Sequence, residues 1–429
     1  MTPLMLGMVG IAILVAMVMI RVPVAVALGL VGFGGYVALE GFGRAGLILA
    51  SAPLELASAY GYSVVPLFTL MGAVAAVSGL SRDLFRAAEA ALRGARGSSG
   101  VAAIMASALF SAISGSSVAT ALTMSRVSTP EMRAQGYPAT LAAGAVAAGG
   151  TLGILIPPSL ILMIYAIIAQ LSIAELFAAA LIPGLVLTVL YMAVAFLLGR
   201  RHAPEAPANR PAFLPAMARI WHVVLLFTGT IGGIYIGWFT PTEAAAVGAL
   251  GAILLVLVTR RVTFALLGKT TLDTARLVST AIFIVMASAV FSYFIVQTGL
   301  SDALARGMKA SGYGPLGVIL LICLAYVVMG CFLDGIAMIL ITVPILLPLV
   351  LSYGIDPVWF GVLLVVLIEI GLVTPPFGMN IFVIKAVSRD LSVIDIYRGA
   401  MSFLPAPLVL IALMIAWPDM VLWLPSLLK

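Results

Sequence analysis

The chain has 429 residues, 63% of them hydrophobic and only 9% charged, and 22 Lys and Arg against 16 Asp and Glu leave a net charge of +6; the mean hydropathy is +1.23. Soluble domains run nearer ~45–50% apolar and ~25% charged, so these few charges cannot coat a globule of this size, and a soluble protein, a disordered chain and a nucleic-acid binder are all excluded. What remains is an all-α polytopic membrane protein. A span must satisfy every backbone polar group internally, and the apolar runs suit spanning helices of ~17–25 residues rather than the ~10-residue alternating strands of a barrel.

Taken in chain order, apolar runs predict spans at 3–20, 23–39, 64–80, 138–168, 176–198, 221–239, 243–259, 278–297, 357–388 and 400–417. The first lacks a basic leading segment and nearly touches the second, so it reads as a retained span rather than a cleaved signal. Between Arg82 and Arg96 the charges recur at near-helical spacing with Leu84, Phe85 and Leu92 between them, which predicts a helix lying at the inner interface. Asp302 to Lys309 is its counterpart at the outer one. The stretches 99–130 and 317–350 are apolar but interrupted midway by Ser114-Gly115-Ser116-Ser117 and by Gly330 and Asp334-Gly335. Each is too long for one span and too short for two, which predicts a re-entrant helical hairpin. The runs 138–168 and 357–388 are also too long, and each contains a Pro-Pro pair, so both are expected to be broken helices.

The two cysteines, Cys323 and Cys331, sit in apolar sequence, and the two histidines, His202 and His222, flank the longest polar stretch. No disulfide framework, transition-metal site or His-based triad is expected. An intramembrane enzyme needs a nucleophile with a base, or a metal ligand set, and the sequence offers neither, so the chain is read as a non-enzyme with no catalytic residues. A channel needs a continuous pore, which paired hairpins do not suggest.

That polar stretch, with Arg200, Arg201, Arg210, Arg219 and four prolines, divides the chain into residues 1–198, a cytoplasmic linker at 199–220, and residues 221–429. The two parts match in order at nearly one offset. Pro23 pairs with Pro241, Gly79-Leu80-Ser81 with Gly299-Leu300-Ser301, and Pro130 with Pro348; Gly153-x-x-x-Pro157-Pro158 pairs with Gly371-x-x-x-Pro375-Pro376. Five spans and one hairpin per half is an odd number of crossings, so the second half enters from the opposite side. This is an inverted-topology repeat, a common design of secondary transporters. With the N-terminus outside, 18 of the 22 Lys and Arg fall in inner loops and 4, Arg44, Arg306, Lys309 and Lys429, fall outside, as the positive-inside bias requires. The C-terminus is then also outside.

The chemistry is expected at four breaks. Unwound backbone at mid-membrane exposes carbonyls suited to a hard cation, and half-helix N-termini donate N–H groups to anions. The first break is Ser114-Gly115-Ser116-Ser117, whose small residues could be oxygen ligands or a packing face. The second is Gly149-Gly150-Thr151-x-Gly153 up to Pro157-Pro158, and the third is Gly330 with Asp334. The fourth runs from Glu369 and Gly371 through Thr374-Pro375-Pro376 to Gly378 and Asn380. Asp334 and Glu369 are the acids expected at membrane depth. Either could ligand a cation, relay a proton, pair with Arg126 or Lys385, or cap a half-helix. Arg126 could clamp a carboxylate or simply mark the inner interface.

At these residues the sequence resembles the large membrane subunit of tripartite ATP-independent periplasmic (TRAP) transporters. The motifs that carry the resemblance are Ser114-Gly115-Ser116-Ser117-Val118-Ala119, Thr129-Pro130-Glu131-Met132 with Gly136-Tyr137, and Gly150-Thr151-Leu152-Gly153 through Pro157-Pro158-Ser159. They continue with Leu176-Phe177, Pro183-Gly184, Phe332-Leu333-Asp334, Gly361, Glu369-Ile370-Gly371 and Thr374-Pro375-Pro376-x-Gly378-x-Asn380. The resemblance implies a sodium-coupled importer of organic acids such as C4-dicarboxylates or sialic acid, in the bacterial inner membrane with periplasmic termini. It implies an elevator motion of a transport domain past a scaffold, and no cofactor beyond the coupling Na⁺. It also implies two partners, a small four-helix membrane subunit and a periplasmic substrate-binding protein. One implied sodium site uses Ser114, Gly115, Ser116 and Ser117 with Gly149, Thr151 and Gly153; the other uses Gly330 and Asp334 with Gly371, Thr374 and Pro375. Substrate would lie between the two tips, against Ser116, Arg126, Pro157, Pro376 and Asn380. The alternative is a carboxylate transporter of another inverted-hairpin family that acts alone.

Overall fold

The computed structural model describes residues 2–92, 97–202 and 212–428, with the side chains of Ala57, Arg201 and His202 excepted. Arg93, Arg96, Arg210 and Lys429, counted above for orientation, and residues 203–211 of the 199–220 linker lie outside the described residues. Every described element is a helix or helical turn.

The first half runs α1 (Pro3–Met19), α2 (Val24–Glu40), α3 (Phe42–Ser58), a 3₁₀ turn (Tyr60–Ser63), α4 (Val64–Val77) and α5 (Leu80–Ala91). It continues with α6 (Ser98–Ser114), α7 (Ser117–Ala134), α8 (Ala139–Thr151), a 3₁₀ turn (Leu152–Ile154), α9 (Leu160–Ala169) and α10 (Ile173–His202). The second half runs α11 (Phe213–Arg219), α12 (Trp221–Phe227), a π turn (Thr228–Gly232), α13 (Gly233–Tyr235), α14 (Pro241–Val258) and α15 (Phe264–Thr298). Then come α16 (Leu300–Ala310), α17 (Pro315–Gly330), α18 (Gly335–Ser352), α19 (Pro357–Val373), α20 (Met379–Val387), α21 (Val393–Met401), α22 (Pro405–Ala416) and α23 (Asp419–Ser426). Among the described residues six helical segments are long and apolar enough to cross a bilayer, and the shorter apolar helices include the first arm of each hairpin and both halves of the first broken helix. The element order of the two halves is compatible with a duplication. Hairpin α6–α7 answers to α17–α18, broken helix α8–α9 to α19–α20, and interfacial helix α5 to α16.

Two sequence expectations are corrected. The segment read as a loop before 278 is helical, so one 35-residue helix, α15, replaces a loop and a short span. Its charges misled because they lie on one face: Asp273 and Arg276 pair at 3.6 Å on the exposed side, while Thr270, Thr274, Val278 and Ala281 are buried at helical spacing. The first half contains an unpredicted helix, α3, whose two glycines, Arg44 and Pro53 broke the apolar pattern. Together α3 and α4 span what α15 covers without interruption.

Proline shapes the contact between α15 and α18. Pro344 inside α18 has no N–H, so the carbonyl one turn back, Leu340, loses its helical donor. The Ser288 hydroxyl on α15 donates to that oxygen at 2.8 Å. Beside this bond a crevice of about 490 Å³ opens between Leu56, Tyr62, Ile167, Gln170, Ser292 and Pro344. Elsewhere α8 and α21 cross in main-chain contact, since a Cβ on Gly144 would lie 2.5 Å from the Gly399 oxygen.

The interfacial helix α5 seats on the feet of the first hairpin through Glu89. Gln135 donates to its carboxylate at 2.8 Å, and Ser99 bonds to both Gln135 and Glu89. Burial pushes the Glu89 carboxyl above its usual range, with Glu131 adding to the rise, while the Gln135 and Ser99 bonds and Arg86 oppose it. A carboxyl raised on folding contributes stability that is complete below its unfolded value and is lost as pH climbs through the folded one. Thermal unfolding in nanodiscs across that range should therefore show wild type weakening with rising pH relative to Glu89→Gln. Parallel pH curves for the two proteins would remove Glu89 from this role.

Candidate functional site

The first hairpin turns in two residues. Ser114 closes α6, Gly115 takes φ +62°, and Ser116 caps α7 by accepting from the Ala119 N–H at 3.3 Å. The Ser114 and Thr120 hydroxyls bond across the tip at 2.8 Å. The tip rests on the first broken helix, because the Leu160 N–H donates to the Gly115 carbonyl at 3.3 Å. Glycines make this approach possible. A Cβ at Gly115 would lie 2.5 Å from the Pro158 oxygen, one at Gly153 2.5 Å from the Ser116 oxygen, and one at Gly149 2.5 Å from the Ser107 hydroxyl. From the other side, Gly72 of α4 would meet the Ser114 oxygen at 2.5 Å. Of the residues that the resemblance groups, Gly115, Ser116 and Ser117 are thus brought onto the break at Gly153 and Pro158, beside Ser114, whereas Gly149 packs on Ser107 further along α6 and the Thr151 hydroxyl turns to Ala148 and Tyr191.

Helix α8 ends in the 3₁₀ turn, and the chain passes Pro157-Pro158, joined by a cis peptide bond, before Ser159 restarts it as the cap of α9. The Ser159 hydroxyl also donates to the Ile154 carbonyl inside the break. Thr151 is fully buried. Its hydroxyl donates to the Ala148 carbonyl at 2.8 Å and lies 3.2 Å from the Tyr191 hydroxyl.

The second tip repeats the logic with different parts. Gly330 ends α17, and Asp334 caps α18 by accepting from the Ala337 N–H at 2.8 Å. Gly330 faces Gly371 of α19 so closely that a Cβ on either would lie 2.8 or 2.7 Å from the other's Cα. Beyond Gly371 the helix stops at Thr374, whose hydroxyl donates to the Ile370 carbonyl at 2.9 Å. Pro375-Pro376 follows, also joined by a cis bond, and the Tyr397 hydroxyl donates to the Pro376 carbonyl at 2.8 Å. Thus Gly330, Gly371, Thr374 and Pro375 cluster. The two breaks differ in exposure: Pro157 and Pro158 are buried, whereas Pro375, Pro376, Phe377 and Asp334 are exposed.

Asn380, one turn past the second break, is 0% exposed, and neither its amide nitrogen nor its oxygen has a hydrogen-bond partner among the described residues. Both carboxylate oxygens of Glu369, also 0% exposed, are likewise without one. Burying such a group unpaired at membrane depth is costly, ~2.5 kcal/mol or more, so both mark the break as polar by design. The pairing of an acid with Lys385 is not formed: Lys385 donates to the Arg389 and Leu391 carbonyls at 2.8 and 2.6 Å. Arg126 is exposed on α7 with no ion pair among the described residues. It stands ten residues, about 15 Å of helix, beyond Ser116, so it does not touch the tip.

Sequence reasoning missed Thr120, Ser107 and Tyr191. Thr120 was within reach of the hydroxyl pattern, one turn past Ser116. Tyr191 carried no local signal, because its hydroxyl meets Thr151 across 40 residues. Gly153→Ala should be poorly tolerated: its methyl would press on the Ser116 carbonyl, an overpacking cost of ~1–3 kcal/mol. A lowered unfolding temperature of the purified protein checks this, and an unchanged melt would show that the tip and the break are not in contact.

Comparison with known proteins gives a consistent answer. The profile of the family described as Tripartite ATP-independent periplasmic transporter, DctM component, matches residues 11–420. The chain is 34% identical over 382 residues to the C4-dicarboxylate TRAP transporter large permease protein DctM of Pseudomonas aeruginosa, covering 88% of this chain and 89% of that one. It is 34% identical over 370 residues to the sialic acid TRAP transporter large permease protein SiaM of Vibrio cholerae, covering 85% and 86%. In fold it is similar to the YdaH transporter of Alcanivorax borkumensis, with TM-score 0.62, 14% identity, and coverage of 88% and 90%.

Proposed function

The chain belongs to the DctM component family of the tripartite ATP-independent periplasmic transporters, and from that membership and the two tip-and-break arrangements we propose that it imports an organic acid by Na⁺ symport. The substrate class is a C4-dicarboxylate, sialic acid or a similar carboxylate, in line with the names of its relatives. The observation that carries the reading is the docking of each hairpin tip on a broken helix through main-chain contact, Gly115 and Ser116 on Pro158 and Gly153, and Gly330 on Gly371. Carbonyls and hydroxyls gathered at unwound backbone are the ligands a hard monovalent cation takes in transporters.

One Na⁺ is held by oxygens of Ser114, Gly115, Ser116, Ser117, Gly149, Thr151 and Gly153; the other by those of Gly330, Asp334, Gly371, Thr374 and Pro375. Ser116, Pro157, Pro376 and the unpartnered amide of Asn380 line the substrate, and Arg126 supplies the positive field that draws its carboxylate. The hairpins and broken helices move as a transport domain past a scaffold containing α2, α4, α14 and α15, with the crevice beside Ser288 as part of the seam. A periplasmic binding protein delivers the acid and a small four-helix subunit completes the complex in the inner membrane, both termini facing the periplasm.

Uptake in proteoliposomes holding all three components tests this. Uptake that follows an imposed sodium gradient is expected; uptake that ignores sodium and follows a proton gradient overturns the cation assignment. Thr374→Ala removes one side-chain oxygen and should raise the sodium concentration for half-maximal uptake on the order of tenfold, the equivalent of ~1.4 kcal/mol, with little change in expression. Unaltered sodium activation takes Thr374 out of the site.

A further inference from the structure

A cleft of about 290 Å³ opens away from the tips, where the first turn of α8, the end of α10 and α21 converge. Pro138, Thr140, Leu141, Leu198, Arg398 and Ser402 line it. Close by, Gly144 and Gly399 let α8 and α21 cross in main-chain contact. The apolar lining of the cleft is Pro138, Leu141 and Leu198, and its polar lining includes Arg398 and Thr140.

Several charges at this end of the molecule are already engaged. Arg133 pairs with Asp390, Lys385 donates to two carbonyls, and Arg200 lies 5.3 Å over the Phe196 ring. Asp395 accepts from the Ser392 hydroxyl at 2.6 Å. Arg398 is different. Its main-chain oxygen accepts from Ser402 at 3.1 Å, but its guanidinium has no acid, carbonyl or ring partner among the described residues. The Thr140 hydroxyl is equally unengaged among them. A guanidinium and a hydroxyl unengaged among the described residues, beside apolar lining, complement an amphiphile with an anionic head.

We propose that this cleft seats an anionic phospholipid of the inner leaflet, its phosphate on Arg398 and Thr140 and its acyl chain along Leu141 and Leu198. Guanidinium–phosphate pairs are charge-assisted and geometrically matched, and basic pockets between helices on the cytoplasmic side are where anionic headgroups bind. The proposal rests on the membrane orientation given above, which brings residues 138–141, 198 and 398–402 to the inner face. It does not depend on sodium coupling.

The test uses the full chain with its small membrane partner in nanodiscs of phosphatidylethanolamine, with or without phosphatidylglycerol. Phosphatidylglycerol should raise the unfolding temperature of wild type and of Arg389→Gln, a nearby exposed control outside the cleft. Arg398→Gln should lose that increment and retain about fivefold less phosphatidylglycerol through purification, as loss of one basic contact at an anionic surface implies. Arg398→Lys, which keeps the charge, should recover most of it. Equal retention by wild type and Arg398→Gln overturns the proposal. So does an equal stabilisation by inorganic phosphate in place of the lipid, which would make this a site for a soluble anion.

Discussion

In hydrocarbon, each main-chain N–H and C=O needs a partner within the protein, and an orphan costs several kcal/mol. This constraint decides where the helices of this protein can be interrupted. Breaks at Pro157-Pro158 and Pro375-Pro376 are tolerable only because another segment of chain is pressed against each one. The glycines are therefore not merely turn formers. Gly115, Gly153, Gly330 and Gly371 let two main chains meet at distances that any side chain would forbid. The same feature that makes the breaks stable also gathers oxygens into two compact clusters.

The halves share a plan but not a finish. The first tip is sealed: it has a Gly115 carbonyl bonded to Leu160, a Thr120 hydroxyl across the turn, and α4 packed on Ser114 through Gly72. The second is open, with the Phe332 and Phe377 rings edge to face at 6.3 Å and both prolines at the surface. An acid caps the second hairpin where a serine caps the first. Positions that match between the halves thus carry different residues, as Thr151 and Glu369 also illustrate, 218 residues apart in register.

Much of this was legible in the residues, and the failures have physical causes. Breaks could be read because Pro-Pro and clustered Gly are incompatible with a helix interior. Hairpins could be read because 99–130 and 317–350 have the wrong length for spans. The first half of α15 was missed because charge spacing along one face imitates a loop when only local polarity is counted, and α3 because Gly43, Arg44, Gly46 and Pro53 interrupt its apolar pattern. The meeting of Gly330 with Gly371 was implied by the family resemblance, not by local sequence. The Thr151–Tyr191 bond, and the failure of Lys385 to meet an acid, depend on packing between distant helices and leave no local trace.

The Ser288–Leu340 bond has a mechanical corollary. Pro344 leaves a carbonyl on α18 that must always be fed by some outside hydroxyl or amide, and the donor it has now belongs to α15. One turn further along α15, about 6 Å away, stands Ser292, at the edge of the crevice. A displacement of α18 by one helical turn would hand the same oxygen from one hydroxyl to the next. Sliding in this protein would then proceed by discrete rungs rather than by continuous creep.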